Sequence, residues 1–263
     1  MRVHTDAGHE DLHSALVVGA DGRASIVRRQ GGFTARQTAP PMDIVWCKLP
    51  APAGFDGARA YAGRGHLLLA YRTFGNQIQI GWAIMKGSFG ELRRRGVAQW
   101  VEEMAAHVTP DLAAHLREHA GAIRHPFLLD VVADRVAHWS APGLLLLGDA
   151  AHTLSPVGAQ GLNLALRDAI VAANHLVPAL RAGGDAAALD AASARIEAER
   201  THEIRTIQDM QSVGPRVALT VRWWGEPVRN ALARAFRAGL GTRAALGPMR
   251  RFAFGVDDVR LAV

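Results

Sequence analysis

The chain has 263 residues, 49% of them hydrophobic and 21% charged, which is typical of a globular domain and not of a disordered or fibrous protein. Its single cysteine excludes an internal disulfide, no apolar run reaches the ~20 residues of a membrane span, and the polar N-terminus does not predict a signal peptide, so we expect a cytoplasmic protein. The net charge of +6 comes without an aromatic-rich basic strand, so the composition does not predict nucleic-acid binding.

The first residues contain a possible metal motif. The segment His9-Glu10-Asp11-Leu12-His13 matches H-E-x-x-H, the zinc-peptidase pattern. That chemistry requires both histidines on one face of a helix and a third ligand downstream. A strand pattern resumes at Leu16, and so short a helix is marginal. We therefore predict a polar surface turn here and no metal site.

An Asp-Gly turn follows the first buried strand. Residues 16–19 are apolar, Asp21 and Gly22 come next, and a helical pattern begins near Ser25 and Arg28. By itself such a turn is more often a plain turn than a binding site. Its meaning therefore depends on what lies downstream.

The middle of the chain is rich in strands. After a loop at 37–41, alternating and apolar patterns predict three strands: Ile44–Leu49, His66–Tyr71 and Gln77–Met85. Four side chains of the third strand share one face and either line a pocket or pack on helices: Ile78, Ile80, Trp82 and Ile84. Residues 89–119 predict two helices broken at Thr109-Pro110, and residues 127–136 predict one strand.

A second turn motif begins where residues 144–147 form an apolar run, which predicts a strand buried on both faces. Gly148 and Asp149 follow, then a loop punctuated by Pro156 and Gly158, and a helix from Leu162 to Leu176. A strand, a turn and a helix N-terminus in this order hold nucleotide-like ligands in open α/β sheets. The carboxylate accepts hydrogen bonds from sugar-type hydroxyls, and the helix N-terminus suits a group that becomes anionic.

His152 lies close to this carboxylate in sequence and allows three interpretations: a metal pair, an acid–base dyad, or a loop histidine satisfied by the backbone. Since no further ligand cluster is evident, we favour the last. Ser155 is followed by Pro156, which excludes a nucleophile elbow.

The Asp-Gly and Gly-Asp motifs, in this order, resemble those of the FAD-dependent aromatic hydroxylases, the para-hydroxybenzoate hydroxylase-like group of class A flavoprotein monooxygenases. The resemblance implies that Asp149 binds the ribityl chain, that Pro156 lies beside the isoalloxazine ring, and that the helix N-terminus meets the N1/O2 edge of the ring. It also implies that the first motif lies near the pyrophosphate and NAD(P)H. The cofactor-binding residues implied are Asp21, Arg28, Gly148, Asp149, Pro156, Gly158, Gln160, Gly161, Leu162 and Asn163.

The resemblance implies a mixed α/β fold, in which a partial Rossmann-like FAD lobe carries an inserted antiparallel-sheet substrate lobe and C-terminal helices. We expect the FAD lobe at residues 1–36 and 139–182, the substrate lobe at 37–138 and the helices at 183–263. Family members begin with a G-x-G-x-x-G turn for the ADP half of FAD, and these 263 residues contain none. We therefore expect the chain to lack that N-terminal segment.

The activity implied by the resemblance is hydroxylation of an aromatic or other electron-rich small molecule by O₂, through a flavin C4a-hydroperoxide, with NADH or NADPH as hydride donor. Because the cofactor carries this chemistry, we assign no protein acid or base a catalytic role. Two alternatives remain open: a related flavoenzyme that reduces isoprenoids or halogenates, and a fragment without activity of its own.

The C-terminal third is predicted to be mostly helical, with breaks at 183–184, 214–215 and 225–227. From Arg216 onward nine arginines stand against three acidic residues. This basic region predicts either contact with a membrane surface or anionic partner, or a solvated face of terminal helices. We favour the solvated face.

Overall fold

The computed structural model describes residues 1–6, 8–37, 42–63, 65–124, 126–238, 247 and 250–263, and in them helices and strands alternate in the expected mixed fold. The chain divides into two compact units. The first comprises Met1–Thr38, Val132–Gln211 and Gly247–Val263, and the second comprises Ala39–Val131 and Ser212–Leu246. No helix in the described ranges is both long and apolar enough to cross a bilayer.

The strands of the described residues are β1 (Arg2–Thr5), β2 (Gly8–Asp11), β3 (Val17–Gly19), β4 (Ala35–Gln37), β5 (Met42–Pro50), β6 (Ala58–Gly63), β7 (His66–Thr73), β8 (Gln77–Met85), β9 (Phe127–Leu129), β10 (Asp134–Val136), β11 (Ser140–Ala141) and β12 (Leu144–Leu146). The helices are α1 (Ile26–Gln30), α2 (Phe89–Arg95), α3 (Val97–Ala105), α4 (Pro110–Glu118), α5 (Gly161–Arg181), α6 (Ala186–Ala218) and α7 (Gly225–Arg237).

The second unit is built on an antiparallel sheet with the strand order β6-β7-β8-β5-β9 among the described residues. The apolar face of β8 is buried against helices α2 to α4, with Ile78 and Ile80 in one cluster with Trp100 and Leu116. Of the two roles that the sequence left open for this face, packing on helices is the one observed. The strands at 44–49, 66–71 and 77–85 are confirmed, whereas β6 was missed.

The first unit contains the parallel pair that matters for the site. Leu144, Leu145 and Leu146 of β12 stand opposite residues 17–19 of β3, in the order β11-β12-β3. Leu145 and Leu146 are fully buried, as the apolar run predicts, and pack with residues of α5 and α6. Since carboxyl ends of parallel strands meet at one edge of a sheet, the Asp-Gly and Gly-Asp turns lie side by side.

Four sequence-based boundaries are wrong, one of them the break at 225–227, since α7 already begins at Gly225. Residues 127–136 form two strands in different sheets, because Lys86 and Asp43 bind the backbone of Val131 between them. Residues 89–119 form three helices, since Gly96, at φ +83°, separates α2 from α3. The break at 214–215 is absent, because α6 continues through Pro215, whose carbonyl accepts a hydrogen bond from Leu219 N–H. A proline removes its own N–H, but the turns on either side keep their hydrogen bonds.

Only residues 9–11 of the H-E-x-x-H segment lie in a strand, where a turn was predicted, and Leu12 and His13 follow that strand. His9 and Glu10 occupy neighbouring positions of β2, which pairs with β1 in an exposed hairpin. Successive strand side chains point to opposite faces. The two histidines therefore lack the shared helical face that a zinc peptidase requires.

Candidate functional site

The turn after β12 needs a glycine on two grounds. Gly148 has φ +57°, a left-handed conformation that a side chain disfavours. A Cβ built there would lie 3.1 Å from the Cβ of Ala165 on α5. Its N–H donates to Asp168 Oδ2 over 3.1 Å. The turn thus approaches α5 closely, and it leaves the next residue, Asp149, half-buried.

Asp149 is a carboxylate without a donor. Its side chain is half-buried, and no described residue donates a hydrogen bond to its oxygens, although Thr153 Oγ1 donates to its backbone carbonyl. Burial raises the pKa of Asp149, and the charges of His152 and Arg23 offset this only in part. A partly desolvated carboxylate that lacks donors is suited to a ligand with hydroxyl groups.

The N-terminus of α5 is open. The residue before it, Gln160, makes no side-chain cap; its Nε2 donates to the carbonyl of Gly158 over 3.0 Å, and its Oε1 accepts from Asn163 over 3.3 Å. A Cβ built at Gly161 meets no described atom within 4 Å, and Leu162 is 73% exposed. The first-turn N–H groups therefore face space with the positive end of the helix dipole behind them.

The loop before α5 is packed from the C-terminal segment. Gly158 has φ +76°, and a Cβ built on it would collide with the ring of Phe252. Pro156 begins this turn, and its carbonyl accepts from Ala159 N–H. A cavity of about 360 Å³ lies beside the start of α5, lined by Gln160, Asn163, Leu164, Leu166, Arg167, Ile207, Ala253, Phe254 and Gly255.

A buried ionic network holds the Gly-Asp turn in place. Asp168 Oδ2 lies 2.7 Å from His152 Nε2, and its Oδ1 accepts from Arg200 Nε over 2.8 Å. Arg200 also binds Glu203, and all four side chains are at most 1% exposed. Burial acts to raise the pKa of Asp168, but the contacts with His152 and Arg200 outweigh it and hold the pKa below its usual value.

This network corrects one interpretation of the sequence. His152 Nε2 contacts a carboxylate and not a backbone group, and that carboxylate belongs to Asp168 instead of Asp149, while the buried Nδ1 of His152 has no partner among the described residues. No local sequence pattern predicts the network, because Arg200 and Glu203 lie more than thirty residues downstream of Asp168 in a long polar helix. Their i, i+3 spacing on α6 is the one feature that would have suggested a pair.

The same network anchors the C-terminal segment. Glu203 Oε1 accepts from the backbone N–H groups of Val256, at 2.6 Å, and Asp257, at 3.2 Å. Arg167 of α5 donates to Glu203 over 2.8 Å and also binds the carbonyl of Asp257. Residues 256–257 are therefore fixed to both helices that support the site.

Asp21, in the Asp-Gly motif, organises the start of α1. Its carboxylate accepts from Ile26 N–H at 2.6 Å and Val27 N–H at 3.3 Å. Burial acts to raise the pKa of Asp21, but hydrogen bonds from Ser25 and these two amides lower it. The observed contacts of Asp21 are thus internal to the turn.

Arg28 links the two motifs. Its guanidinium donates to the carbonyl of Ala150 over 3.3 Å, lies 3.5 Å from Asp134, and donates to the carbonyl of Arg23 over 2.5 Å. Ala150 directly follows Asp149 in the Gly-Asp turn. The structure therefore brings both motifs to one edge of the β3–β12 pair, with Asp149 and the start of α5 open to a ligand.

The chain is similar to several characterised proteins. A family described as FAD binding domain matches residues 1–205. The 6-methylpretetramide 4-monooxygenase of Streptomyces rimosus is 37% identical over 252 residues, which are 95% of this chain and 58% of that protein. The 3-demethoxyubiquinol 3-hydroxylase of Escherichia coli (strain K12) is 28% identical over 193 residues, 68% of this chain and 44% of that protein.

A solved structure shows the same fold. The probable FAD-dependent monooxygenase pqsL from Pseudomonas aeruginosa superposes with a TM-score of 0.68 and 25% identity, over 87% of this chain and 62% of that one. The chain spans about half the length of the curated relatives it matches, between 44% and 58% for the first three.

Proposed function

The chain belongs to the FAD binding domain family, and we propose that it forms the ribityl- and isoalloxazine-binding part of a FAD-dependent monooxygenase. The observation that carries the proposal is the half-buried, donor-free carboxylate of Asp149 beside the uncapped N-terminus of α5. When bound, FAD supplies redox chemistry: NADH or NADPH and O₂ are consumed, one oxygen atom enters the substrate, and the other leaves as water.

Asp149 holds the ribityl chain in this proposal. Its carboxylate accepts hydrogen bonds from hydroxyls, and each charge-assisted bond of this kind contributes about 1.5–3 kcal/mol. Gly148 places the side chain by allowing the turn to approach α5, and Asp168 fixes the turn through the Gly148 N–H. The carboxylate is therefore positioned before the ligand arrives.

The start of α5 acts on the ring. The first-turn N–H groups of Gly161, Leu162 and Asn163 have no side-chain cap, so they would stabilise negative charge on a bound flavin ring. Because Gly161 has no Cβ, the ring can approach the backbone closely. Pro156, Gly158 and Gln160 shape the loop beside it.

We assign Asp21 and Arg28 to the neighbourhood of the pyrophosphate. Their internal contacts make them positioning residues for the turn between β3 and α1. We further propose that the first unit holds the flavin and that the sheet of the second unit contributes to substrate binding. The lobe boundaries expected from the sequence, after residues 36, 138 and 182, are part of this proposal.

The substrate class is an aromatic or other electron-rich small molecule, and the site of action is the cytoplasm. Relatives named as a 4-monooxygenase and a 3-hydroxylase support hydroxylation over the halogenating or isoprenoid-reducing alternatives. The proposal includes no membrane contact for the basic C-terminal region, since no observation favours it over a solvated helix face.

Flavin titration tests the proposal. Asp149→Asn preserves size and removes the charge, so FAD affinity should fall between tenfold and a hundredfold, the equivalent of about 1.4–2.8 kcal/mol. Asp6→Asn is the matched control, because Asp6 is exposed in the β1–β2 hairpin turn and should leave affinity unchanged. FAD affinity is measured by quenching of flavin fluorescence. An Asp149→Asn protein with wild-type affinity would refute the assignment.

A further inference from the structure

A second cluster of ligand-type side chains lies at the end of α4. His115, Glu118 and His119 follow the pattern H-x-x-E-H: the first two lie in the last turn of α4, and His119 is the residue that caps its C-terminus. One ligand atom from each of the three residues lies within 4.8 Å of the other two. The cluster belongs to the second unit and shares no residue with the flavin assignment.

Each imidazole has one nitrogen committed to a carbonyl. His115 Nε2 lies 2.7 Å from the carbonyl oxygen of Pro50, and His119 Nδ1 lies 3.1 Å from the carbonyl oxygen of His115. A carbonyl only accepts, so these nitrogens carry the protons. The lone pairs are then on His115 Nδ1 and His119 Nε2. Metal-binding histidines are oriented in the same way, with the second nitrogen donating to a backbone carbonyl.

The local charges favour a cation. Arg117, which lies between the histidines in sequence, is held by Glu102 through three contacts of 2.8–3.1 Å, so its charge is already paired. The cluster surrounds the C-terminal end of α4, where the helix dipole is negative. Glu118 is 76% exposed and free to rotate, and the two imidazoles are stacked with centroids 4.1 Å apart.

We propose that His115, Glu118 and His119 form a binding site for one divalent transition-metal ion, with Zn²⁺ as the best match. Two imidazoles and a carboxylate suit Zn²⁺, Ni²⁺ or Cu²⁺, whereas Mg²⁺ and Ca²⁺ prefer oxygen ligands. Zinc bonds of about 2.0–2.2 Å need the ligand atoms closer than they now lie, so both imidazoles and the exposed Glu118 side chain must turn toward the ion on binding. A water completes a tetrahedral shell. A metal ion bound at this site stabilises the last turn of α4.

The expectation that the chain has no metal site was argued from residues 9–13 and from His152, and it did not consider residues 115–119. The two motifs lead to opposite predictions about metal binding: residues 9–13 should not bind a metal ion, and residues 115–119 should. In the N-terminal motif the histidines lie on a strand and after it, whereas in the second motif they lie in the last turn of α4 and at its C-cap, with their rings stacked. The first pair therefore serves as an internal control for the second.

Calorimetric titration with Zn²⁺ alone tests the proposal on the metal-free chain. We expect one Zn²⁺ per chain with micromolar affinity, unaffected by millimolar Mg²⁺. His115→Gln and His119→Gln should each weaken binding at least tenfold, and Glu118→Gln should weaken it several-fold. The control, His9→Gln combined with His13→Gln, should bind Zn²⁺ as the wild type does.

Three results would overturn the proposal: no saturable binding below ~1 mM Zn²⁺, unchanged affinity in both single histidine variants, or loss of binding in the control. Circular dichroism establishes that each variant is folded. If either histidine variant fails to fold, Glu118→Gln decides the matter, because its side chain is exposed and contributes little to folding. Wild-type affinity in that variant would then count against the site.

Discussion

Replacing Asp168 with asparagine removes the centre of the buried network. Asp168 accepts from Gly148 N–H, interacts with His152 Nε2 and binds Arg200 Nε, all with both partners buried. Asparagine has one acceptor oxygen and one NH₂ group, so at least one of the three groups that now contact the Asp168 carboxylate would face the NH₂ group instead of an acceptor. Arg200 is fully buried and its Nη2 already lacks a partner, so its charge cannot turn to water.

The expected cost follows from this burial. Removing one partner of a buried ion pair costs about 3–5 kcal/mol, because the remaining charge stays desolvated. For a chain of this size each kcal/mol lowers the melting temperature by about 2–4 °C. Asp168→Asn should therefore lower the melting temperature by roughly 6–20 °C.

Thermal unfolding followed by circular dichroism measures this effect. Asp258→Asn is the matched control, because its pair with Arg260 is exposed on both sides and such pairs contribute ~0–1 kcal/mol. Adding Arg200→Met to Asp168→Asn should recover part of the loss, since the buried guanidinium that has lost one of its two carboxylate partners is then gone and Glu203 keeps Arg167. An Asp168→Asn protein with the same melting temperature as the Asp258→Asn control would refute the reasoning.

Stability should fall in acid, because the pKa values of Asp168 and Glu203 are lowered in the folded state. Their contribution to stability is complete above the ordinary carboxyl pKa range near 4, and it is lost as the pH drops through the folded values. A melting temperature that stays constant from pH 6 to pH 3 would contradict this. Gly81→Ala should destabilise the second unit by about 1–3 kcal/mol in urea unfolding, since its Cβ would lie 2.5 Å from the Trp46 ring, and an unchanged midpoint would show that this ring moves freely. The chain should self-associate as its concentration rises, because β3 pairs on one side only among the described residues and exposes Val18. A chain that stays monomeric at all concentrations in analytical ultracentrifugation would argue against an open sheet edge at β3.

Elements with one strong local signal were predictable from the sequence. The strand at residues 144–146 is a pure apolar run, and β8 alternates strictly, so their type and position are confirmed. The turn at Gly148 was predictable because glycine marks a positive φ. These features depend on neighbours in sequence, which periodicity and turn preferences report.

Features that depend on distant partners were not predictable. Proline and glycine predicted a break at 214–215, but α6 tolerates Pro215 within a helix whose other turns are intact. The split between β9 and β10 depends on Lys86 and Asp43, which lie more than forty residues upstream. The Asp168–Arg200 pair spans thirty-two positions and likewise leaves no periodic trace. The central site was visible as a motif, while the network that supports it was not.

Competition between ligand fragments tests the central claim most directly. If Asp149 and the start of α5 hold the ribityl and ring portion of FAD, riboflavin should bind this chain within about tenfold of FAD, a difference of ~1.4 kcal/mol. ADP at millimolar concentration should then leave bound FAD in place. Displacement of FAD by ADP, together with no measurable riboflavin binding, would show that the chain holds the other half of the cofactor and would contradict the account.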